Sequence, residues 1–367
     1  MWFLTAALIA LVCAALVAWT IERADHGSRG HAAPSRGATP SGGPRTDGPD
    51  VTGSPTEGPR DGDAKVDLPT DPEARPLILN IDGRPVLTDL RDPEGPPTEI
   101  PVRDIGIEAI SPDARRVAGN VLAADGKPGP GLRVESLDGS HPVDFAPKDG
   151  AYIQPEFSVD GSTLFFTHTA DPGGVTHFGA RIMSVPADGG SAPKQLFDDA
   201  NEFCDSTFSA SRVGLYSFSR AERITEDASW PDSPPKCGAT GGVLALYNEK
   251  DGSIIDVPRP EGLPPVDPFS AISPDGKRLA VVSVVTHSIH LYVLDLDSGE
   301  LNRIPGNATN GGGPFRPIFG WSPDGDHIAI DHQDPGRTLA YDSRTGETTA
   351  AWPTGSRTPV WLPERSS

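Results

Sequence analysis

A short string recurs along residues 76–367 and constrains the fold more than any other feature of this chain. It consists of a large apolar residue, then Ser-Pro-Asp-Gly, then alternating apolar residues. Its copies are Ile110–Ala118, Phe157–Phe166, Phe208–Tyr216, Ile272–Val281 and Trp321–Ile330, and Trp361–Glu364 resembles a sixth opening. Counted from Ser to Ser, with Ser209 taken for the degenerate copy, the intervals are 47, 51, 64 and 49 residues, then 40 to the truncated opening at Leu362. Such a period indicates small repeated units that bury their apolar faces against one another.

Each residue type in the string suits a tight hairpin turn. Pro presets φ at the second position, Ser can accept a hydrogen bond from within the turn, and Gly supplies the positive φ at the fourth position. The large residue before Ser ends one strand, and the alternation after Gly begins the next, so each copy predicts a hairpin. The predicted turn residues are Ser111, Asp113, Ser158, Asp160, Gly161, Ser273, Pro274, Asp275, Gly276, Ser322, Pro323, Asp324 and Gly325.

Each unit continues into further short strands. Ile289–Leu296 runs into an Asp-Ser-Gly turn, and Leu339–Asp342 occupies the same place in the next unit. Four short strands per unit make one blade of a β-propeller, and five internal units plus the truncated opening predict six blades. Residues 76–101 lack a repeat opening, so we expect Thr358–Leu362 to complete this N-terminal blade and close the ring.

These hairpins, followed by strands of the Leu-Ala-Val type and an Asp-x-Asp-x-Gly turn, resemble the repeats of TolB-like β-propellers over residues 76–363. The resemblance implies an all-β, six-bladed propeller and, by analogy, a role in envelope protein translocation. The same repeat occurs in binding proteins, peptidases and lyases, so it implies the fold more closely than the function. TolB has an additional N-terminal domain, whereas this chain has an apolar segment and a spacer there.

Residues 2–21 contain no charged side chain. Twenty helical residues reach about 30 Å, the thickness of the hydrocarbon core of a bilayer. No Lys or Arg precedes the run, and Leu16 and Ala18 make a poor small-x-small cleavage site. We therefore predict an uncleaved transmembrane anchor over residues 1–23. A removed signal peptide, which would leave a secreted protein, is the alternative.

Residues 24–75 separate this anchor from the repeats. They are rich in Pro and Gly, carry both signs of charge and have almost no large apolar side chains. Such a segment buries too little surface to offset its ordering entropy. We predict a disordered linker here and a propeller domain over residues 76–367.

The orientation of the anchor is weakly encoded. Arg23 and Arg29 would nominally place the C-terminal side in the cytoplasm. Cys204 and Cys237 favour the outside, because two cysteines of one exported domain often pair. Paired, they would close a loop of about 34 residues, stabilising the fold by roughly 3–4 kcal/mol. We predict a disulfide and an extracytoplasmic propeller on a single-pass anchor; a reactive cysteine and a zinc site are the alternatives.

The chain has 51 acidic and 31 basic side chains and a net charge of −20. This charge argues against a nucleic-acid binder, which needs basic surface to replace counterions, and predicts that an electrostatically steered partner is cationic. Several carboxylates lie in connections that lead into the first strand of a unit, where we expect an acidic funnel for a basic peptide, a cation or a protein. Solvated acids with no common role are the alternative. The funnel residues are Asp149, Asp198, Asp199, Glu202, Asp205 and Asp267.

The sequence lacks a Gly-x-Ser-x-Gly elbow, a Walker loop and a His-Glu-x-x-His motif, which argues against a propeller peptidase. His287 and His290 have no evident carboxylate or thiolate partner nearby, so two exposed loop histidines are favoured over a metal pair. The acids Asp295, Asp297 and Glu300 suit a hairpin turn better than a calcium loop. We predict no metal and no cofactor.

The sequence as a whole predicts a monomeric, membrane-tethered, extracytoplasmic propeller that binds a protein, peptide or small ligand without catalysis. A propeller enzyme, a lyase or hydrolase with a central-channel site, is the first alternative. A cluster of His, Arg and Tyr or carboxylate side chains in the channel would favour it, whereas an apolar or acidic channel would favour binding. An extracytoplasmic sensor is the second alternative.

Overall fold

The computed structural model describes Leu68 and residues 74–81, 84–124, 126–170, 180–197, 209–220, 243–263, 269–285, 288–304, 308–309, 319–332, 337–352 and 356–363. All of them belong to the compact unit Asp61–Ser367. Within these ranges the chain forms 25 β-strands, and no helix there could span a bilayer. The predicted anchor, residues 1–23, and most of the predicted linker lie outside the described residues.

The strands form six sheets, which we number as blades in chain order. Blade 1 contains β1 (Pro76–Ile81), β2 (Arg84–Asp89), β3 (Thr98–Glu99) and the last strand, β25 (Ser356–Trp361). Blade 2 contains β4 (Ile105–Ile110), β5 (Arg116–Leu122), β6 (Pro128–Ser136) and β7 (Val143–Phe145). Blade 3 contains β8 (Ala151–Phe157), β9 (Thr163–Thr169), β10 (Arg181–Pro186) and β11 (Lys194–Gln195).

The other three blades repeat this order. Blade 4 contains β12 (Ser209–Ala210), β13 (Leu215–Arg220), β14 (Val243–Asn248) and β15 (Ile254–Asp256). Blade 5 contains β16 (Phe269–Ile272), β17 (Arg278–Val285), β18 (Ser288–Asp295) and β19 (Leu301–Arg303), with β20 (Ala308–Thr309) also paired to β18. Blade 6 contains β21 (Phe319–Trp321), β22 (His327–His332), β23 (Arg337–Asp342) and β24 (Thr348–Ala351).

The two ends of the propeller meet in blade 1. β25 pairs antiparallel with β1, and Trp361 lies opposite Leu77. The inner strands of the six blades are β25, β4, β8, β12, β16 and β21, and each contacts the inner strand of the next blade. The predicted six-bladed, all-β propeller closed by its terminal strands is therefore confirmed. Pairing with β1 makes β25 the inner strand of blade 1, so this last strand is not left unpaired.

The core is divided into six apolar clusters, one between each pair of neighbouring blades. Between blades 3 and 4, for example, Phe165 and Ile182 pack against Tyr216 and Phe218. This distribution follows from the repeat, because a blade has two faces and each must be covered by a neighbour. Leu68, which belongs to the predicted linker, packs against the cluster between blades 1 and 2.

The Ser-x-Asp-Gly turns join the inner strand of a blade to its second strand. In blade 5, Ser273 Oγ donates to Asp275 Oδ1 at 2.5 Å and accepts the N–H of Arg278 at 2.9 Å. The Asp275 carboxylate also accepts the N–H of Lys277 at 3.1 Å, and Gly276 has a φ of 73°. The same bonds recur in blades 2, 3 and 6, around Ser111, Ser158 and Ser322.

The degenerate copy has a different register from the one that the sequence suggested. Ser211, and not Ser209, takes the place of the buried turn Ser, since its Oγ accepts the N–H of Leu215 at 2.9 Å. Gly214 then holds the positive φ, at 79°. In this copy Leu215, whose N–H the Ser accepts, directly follows Gly214, whereas in the other copies one residue separates the two positions. With this shorter turn, both Ser209 and Ser211 fitted the pattern in the sequence.

Arginines join the turns of neighbouring blades. Arg278 of blade 5 donates from Nη2 to the carbonyl of Gly325 in blade 6 at 2.9 Å, and its guanidinium lies 4.9 Å from the ring of Trp321. Arg116 of blade 2 makes the same contacts with Gly161 (2.5 Å) and Phe157 (5.6 Å) of blade 3. These contacts hold successive turns side by side on one face of the propeller, which we call the turn face.

Candidate functional site

A cavity of about 360 Å³ opens at the turn face, around the axis of the propeller. We call it the axial cavity. It is bounded by the C-terminal ends of the inner strands and the turns that follow them. Its lining residues are Ile110, Pro112, Glu156, Phe157, Ser158, Val159, Ala210, Ser211, Arg212, Pro274, Trp321, Pro323, Trp361 and Pro363.

The lining is built from equivalent positions of the repeat. Every blade contributes the residue at the second turn position, the one after Ser or its counterpart Leu362. The six are Pro112, Val159, Arg212, Pro274, Pro323 and Pro363. Five of them are apolar, and Pro holds four because it suits this position of the turn. The large residues that end the inner strands, among them Phe157, Trp321 and Trp361, add aromatic surface.

The repeat is broken in blades 3 and 4. At the second turn position, blade 3 has Val159 and blade 4 has Arg212, where the other four blades have Pro; Ala210 stands where the other blades have a large apolar residue. Beside Ala210, on β8, lies Glu156. Among the described lining residues, Glu156 is the one acid and Arg212 the one base. The axial cavity is therefore apolar around most of its wall and polar on one side.

Glu156 is half-buried. It lies opposite Phe165, which belongs to the cluster between blades 3 and 4, so its side chain is on the face of blade 3 that packs against blade 4. Burial raises the pKa of its carboxyl to about 8, the nearby Glu108 adds to this rise, and a hydrogen bond from the N–H of Ala210 opposes it. Such a carboxyl is mainly protonated at neutral pH and can either donate a hydrogen bond or receive a cation.

A β-bulge turns Glu156 to this side. The pairing of β8 with β9 shifts between Ile153 and Glu156, and Gln154 there has a φ of 54°. Tyr152 and Phe157 consequently lie in the same cluster although they are five residues apart, which regular alternation would forbid. The bulge thus reverses the alternation in front of Glu156.

The geometry of blades and cavity can be compared with solved structures. TolB from Acinetobacter baumannii aligns over 81% of this chain and 68% of its own with a TM-score of 0.55 at 16% identity. The chain has a TolB-like fold. A chain of the nidogen/laminin complex aligns over 79% of this chain and 99% of its own, with a TM-score of 0.53 at 14% identity. At these identities the likeness shows the fold alone.

Sequence comparisons add little to this TolB-like fold. No family model matches the chain. A stretch of 125 residues is 31% identical to the eukaryotic translation initiation factor 3 subunit I of Candida albicans. This alignment covers 30% of this chain and 34% of that protein. The chain thus spans about a third of the length of the curated relative it matches, so the match assigns no activity.

Of the six residues predicted to form an acidic funnel, Asp149 lies within the described part of this TolB-like propeller. Asp149 precedes β8, at the strand end opposite the axial cavity, and its side chain is 87% exposed. Its carboxylate lies 3.5 Å from His168 Nε2, which also contacts the Asp149 carbonyl at 2.9 Å. The structure therefore does not bring Asp149 to the cavity. The other funnel residues, Asp198, Asp199, Glu202, Asp205 and Asp267, and both cysteines, Cys204 and Cys237, lie outside the described residues.

The residues considered as metal ligands make other contacts. His290 Nδ1 lies 2.7 Å from Arg303 Nη2, and burial together with Arg303 lowers the pKa of the imidazole. Asp295 Oδ1 accepts the N–H of Ser298 at 2.8 Å, as expected for a hairpin turn. Across the described ranges, no three His, Cys, Asp or Glu side chains converge as ligands would. His287 lies outside those ranges.

Sequence reasoning missed Glu156 and Arg212. Alignment of the repeat copies could have found them, because a polar residue at a position that is apolar in the other copies marks a blade whose lining differs from the others. For Arg212 the signal was hidden by the register of the degenerate copy. For Glu156 it was hidden by the bulge, which no periodic pattern reveals.

Proposed function

We propose that this protein is a non-enzymatic binding scaffold that receives a ligand, or a short segment of a partner, in the axial cavity. One observation carries the proposal: the second turn position of all six blades meets around one cavity, and five of the six residues there are apolar. A concave, mostly apolar wall with a few placed polar groups is typical of a ligand site. Val159 extends the apolar surface as an exposed side chain at the rim.

The chemistry of the lining favours binding over catalysis. Nucleophilic catalysis needs a nucleophile within hydrogen-bond reach of a base. The hydroxyls in the lining belong to Ser158 and Ser211, and both are engaged by the turns. The described lining residues include Arg212 and Glu156 but no His, so the cluster of His, Arg and Tyr or carboxylate side chains that would favour an enzyme is incomplete among them.

We further propose that residues 1–23 anchor the protein in a membrane and that residues 24–75 carry the propeller away from it on the extracytoplasmic side. The charge-free run of residues 2–21 and the Pro/Gly-rich composition that follows support this arrangement. A role in envelope protein translocation, by analogy with TolB, would fit a tethered binding domain. The sensor function remains the alternative for a domain placed in this way.

Proximity labelling in the native host tests the binding face and the membrane side together. Val159→Trp adds bulk at the rim of the axial cavity, and Ile255→Trp makes a matched change at an exposed aliphatic residue on the outer strand β15. We expect Val159→Trp to reduce labelling of the main partners at least about fivefold while Ile255→Trp leaves it unchanged. Equal labelling by both variants would contradict the proposed site. Labelling of cytoplasmic proteins alone would contradict the proposed placement.

A further inference from the structure

We propose that the axial cavity selects ligands that join an ammonium group to an apolar body, and that Glu156 is the group that receives the ammonium. This inference rests on the proposed function of the cavity and names the chemistry of its ligand. Free alkyl- or arylalkylamines and the amino terminus of a peptide with an apolar first residue share this chemistry.

The position of Glu156 provides the polar end of such a site. Its carboxyl lies at the cavity wall next to Ala210, the smallest of the residues that end the inner strands. A large residue at position 210, as in the other blades, would fill the space in front of the carboxylate. The two departures from the repeat, a small residue and an acid beside it, therefore form one polar recess.

The charges around Glu156 favour a cation in this recess. Glu108 on β4 interacts unfavourably with an ionised Glu156, and the Tyr216 hydroxyl on β13, which also faces it, donates to Glu249 Oε2 at 2.8 Å. Arg212, the basic residue of the lining, is exposed at the rim. An ammonium group beside Glu156 would offset both its desolvation and the repulsion from Glu108. The net charge of −20 would draw cations toward the protein.

The rest of the cavity suits an apolar body. Phe157 follows Glu156 directly, and Trp321 and Trp361 line other parts of the same cavity. These rings are largely buried, and the parts of them that line the cavity add apolar contact area. A cavity of about 360 Å³ lies at the lower end of the range for small-molecule sites, so it suits a compact ligand.

Calorimetric titration of the full-length protein tests this selection. The probes are phenethylamine, its neutral isostere 2-phenylethanol and the acid 3-phenylpropionate, with the peptides Phe-Gly-Gly and N-acetyl-Phe-Gly-Gly to separate a free amine from a peptide terminus. We expect phenethylamine to bind at least about tenfold more tightly than the alcohol, because a charge-assisted hydrogen bond forms in the recess. At pH 7 we expect binding to release a proton, seen as different heats in phosphate and Tris buffers.

Two variants that each replace a carboxyl by an amide separate the recess from the global field. Glu156→Gln should remove the preference for phenethylamine over the alcohol and abolish the proton release. Asp149→Asn, at the opposite end of β8, should leave both unchanged. A preference that survives in Glu156→Gln, or that is lost in Asp149→Asn, would overturn the assignment of Glu156.

The remaining outcomes distinguish this inference from the function on which it rests. Equal binding of amine and alcohol to wild type would refute the ammonium recess and leave an apolar binding cavity. Tighter binding of 3-phenylpropionate would also refute it, in favour of an anion held at Arg212. Failure of all five probes to bind would count against both the inference and the proposed function.

Discussion

Ala114 has a backbone conformation that its counterparts in four other blades reach with Gly. Its φ is 56°, compared with 72°, 79°, 73° and 72° at Gly161, Gly214, Gly276 and Gly325. A side chain in this left-handed region raises the energy of the folded state by roughly 1–2 kcal/mol. The repeat thus carries local strain in blade 2, next to the axial cavity.

Replacing Ala114 by Gly should relieve this strain. We expect Ala114→Gly to raise the free energy of unfolding by about 1 kcal/mol, since part of the gain is offset by the greater backbone entropy of unfolded Gly. The reverse change in blade 3, Gly161→Ala, should lower it by a similar amount. Urea denaturation of both variants measures the two effects, and changes of equal sign would contradict the explanation.

Glu135 is a second carboxyl in an unusual place. It is 3% exposed, and its Oε1 has no hydrogen-bond partner in the structure. Burial raises the pKa of the carboxyl to about 7, although the positive charge of Arg133 opposes the rise. The folded protein therefore keeps a proton that the unfolded chain, with an ordinary glutamate pKa, loses near pH 4.5.

The stability of the protein should depend on pH through this group. Between about pH 4.5 and 7 the native state holds more protons than the unfolded state, so the free energy of unfolding falls as the pH rises. Glu135→Gln should remove the part of the slope that Glu135 contributes, which is at most ~1.4 kcal/mol per pH unit for one group; the raised pKa of Glu156 contributes in the same direction. Denaturation at pH 4.5, 6 and 7.5 measures it, with Asp149→Asn as the control for net charge. Parallel curves for wild type and Glu135→Gln would contradict the account.

At the scale of elements, the contacts between turns are the feature to test. Arg278 combines a hydrogen bond to Gly325, one of 3.2 Å to Ser343 Oγ and a stacked contact with Trp321. Lys keeps the charge but has neither the planar fork nor the stacking surface of Arg. We therefore expect Arg278→Lys to lower the free energy of unfolding by about 1–2 kcal/mol.

Arg344→Lys provides a matched control. Arg344 pairs with Asp326 at 3.0 Å, but both side chains are largely exposed, and such surface pairs contribute little. Thermal denaturation should thus separate the two variants. Equal effects would mean that the arginine contacts between blades are no stronger than ordinary surface ion pairs.

The elements differ in how well the sequence predicts them. Hairpins at Ser273 and Ser322 follow from local turn chemistry, which a few adjacent residues determine. The bulge at Gln154 does not, because its cause lies in the pairing of β8 with β9 and in the packing of Tyr152 and Phe157 into one cluster. The side to which Glu156 points depended on that bulge and was therefore not predictable from alternation.

At the scale of the whole molecule, the predicted ring and its closure by β25 follow from the number of repeats. Of the predicted acidic site, Asp149 alone lies among the described residues. Asp149 was chosen for its charge and its place in a connection, yet the described cavity lies at the other ends of the inner strands. A repeat count shows how many blades surround the axis, whereas the depth and polarity of each face depend on side-chain packing.

The proposed function requires that ligands enter the propeller from the turn face and occupy the axial cavity. Photo-crosslinking of the full-length protein with a diazirine-bearing alkylamine, followed by peptide mapping, tests it most directly. We expect adducts in the segments 151–163 and 209–215, and their loss in Val159→Trp but not in Ile255→Trp. Adducts concentrated on the connection around Asp149, or spread evenly over the surface and unchanged by Val159→Trp, would contradict it.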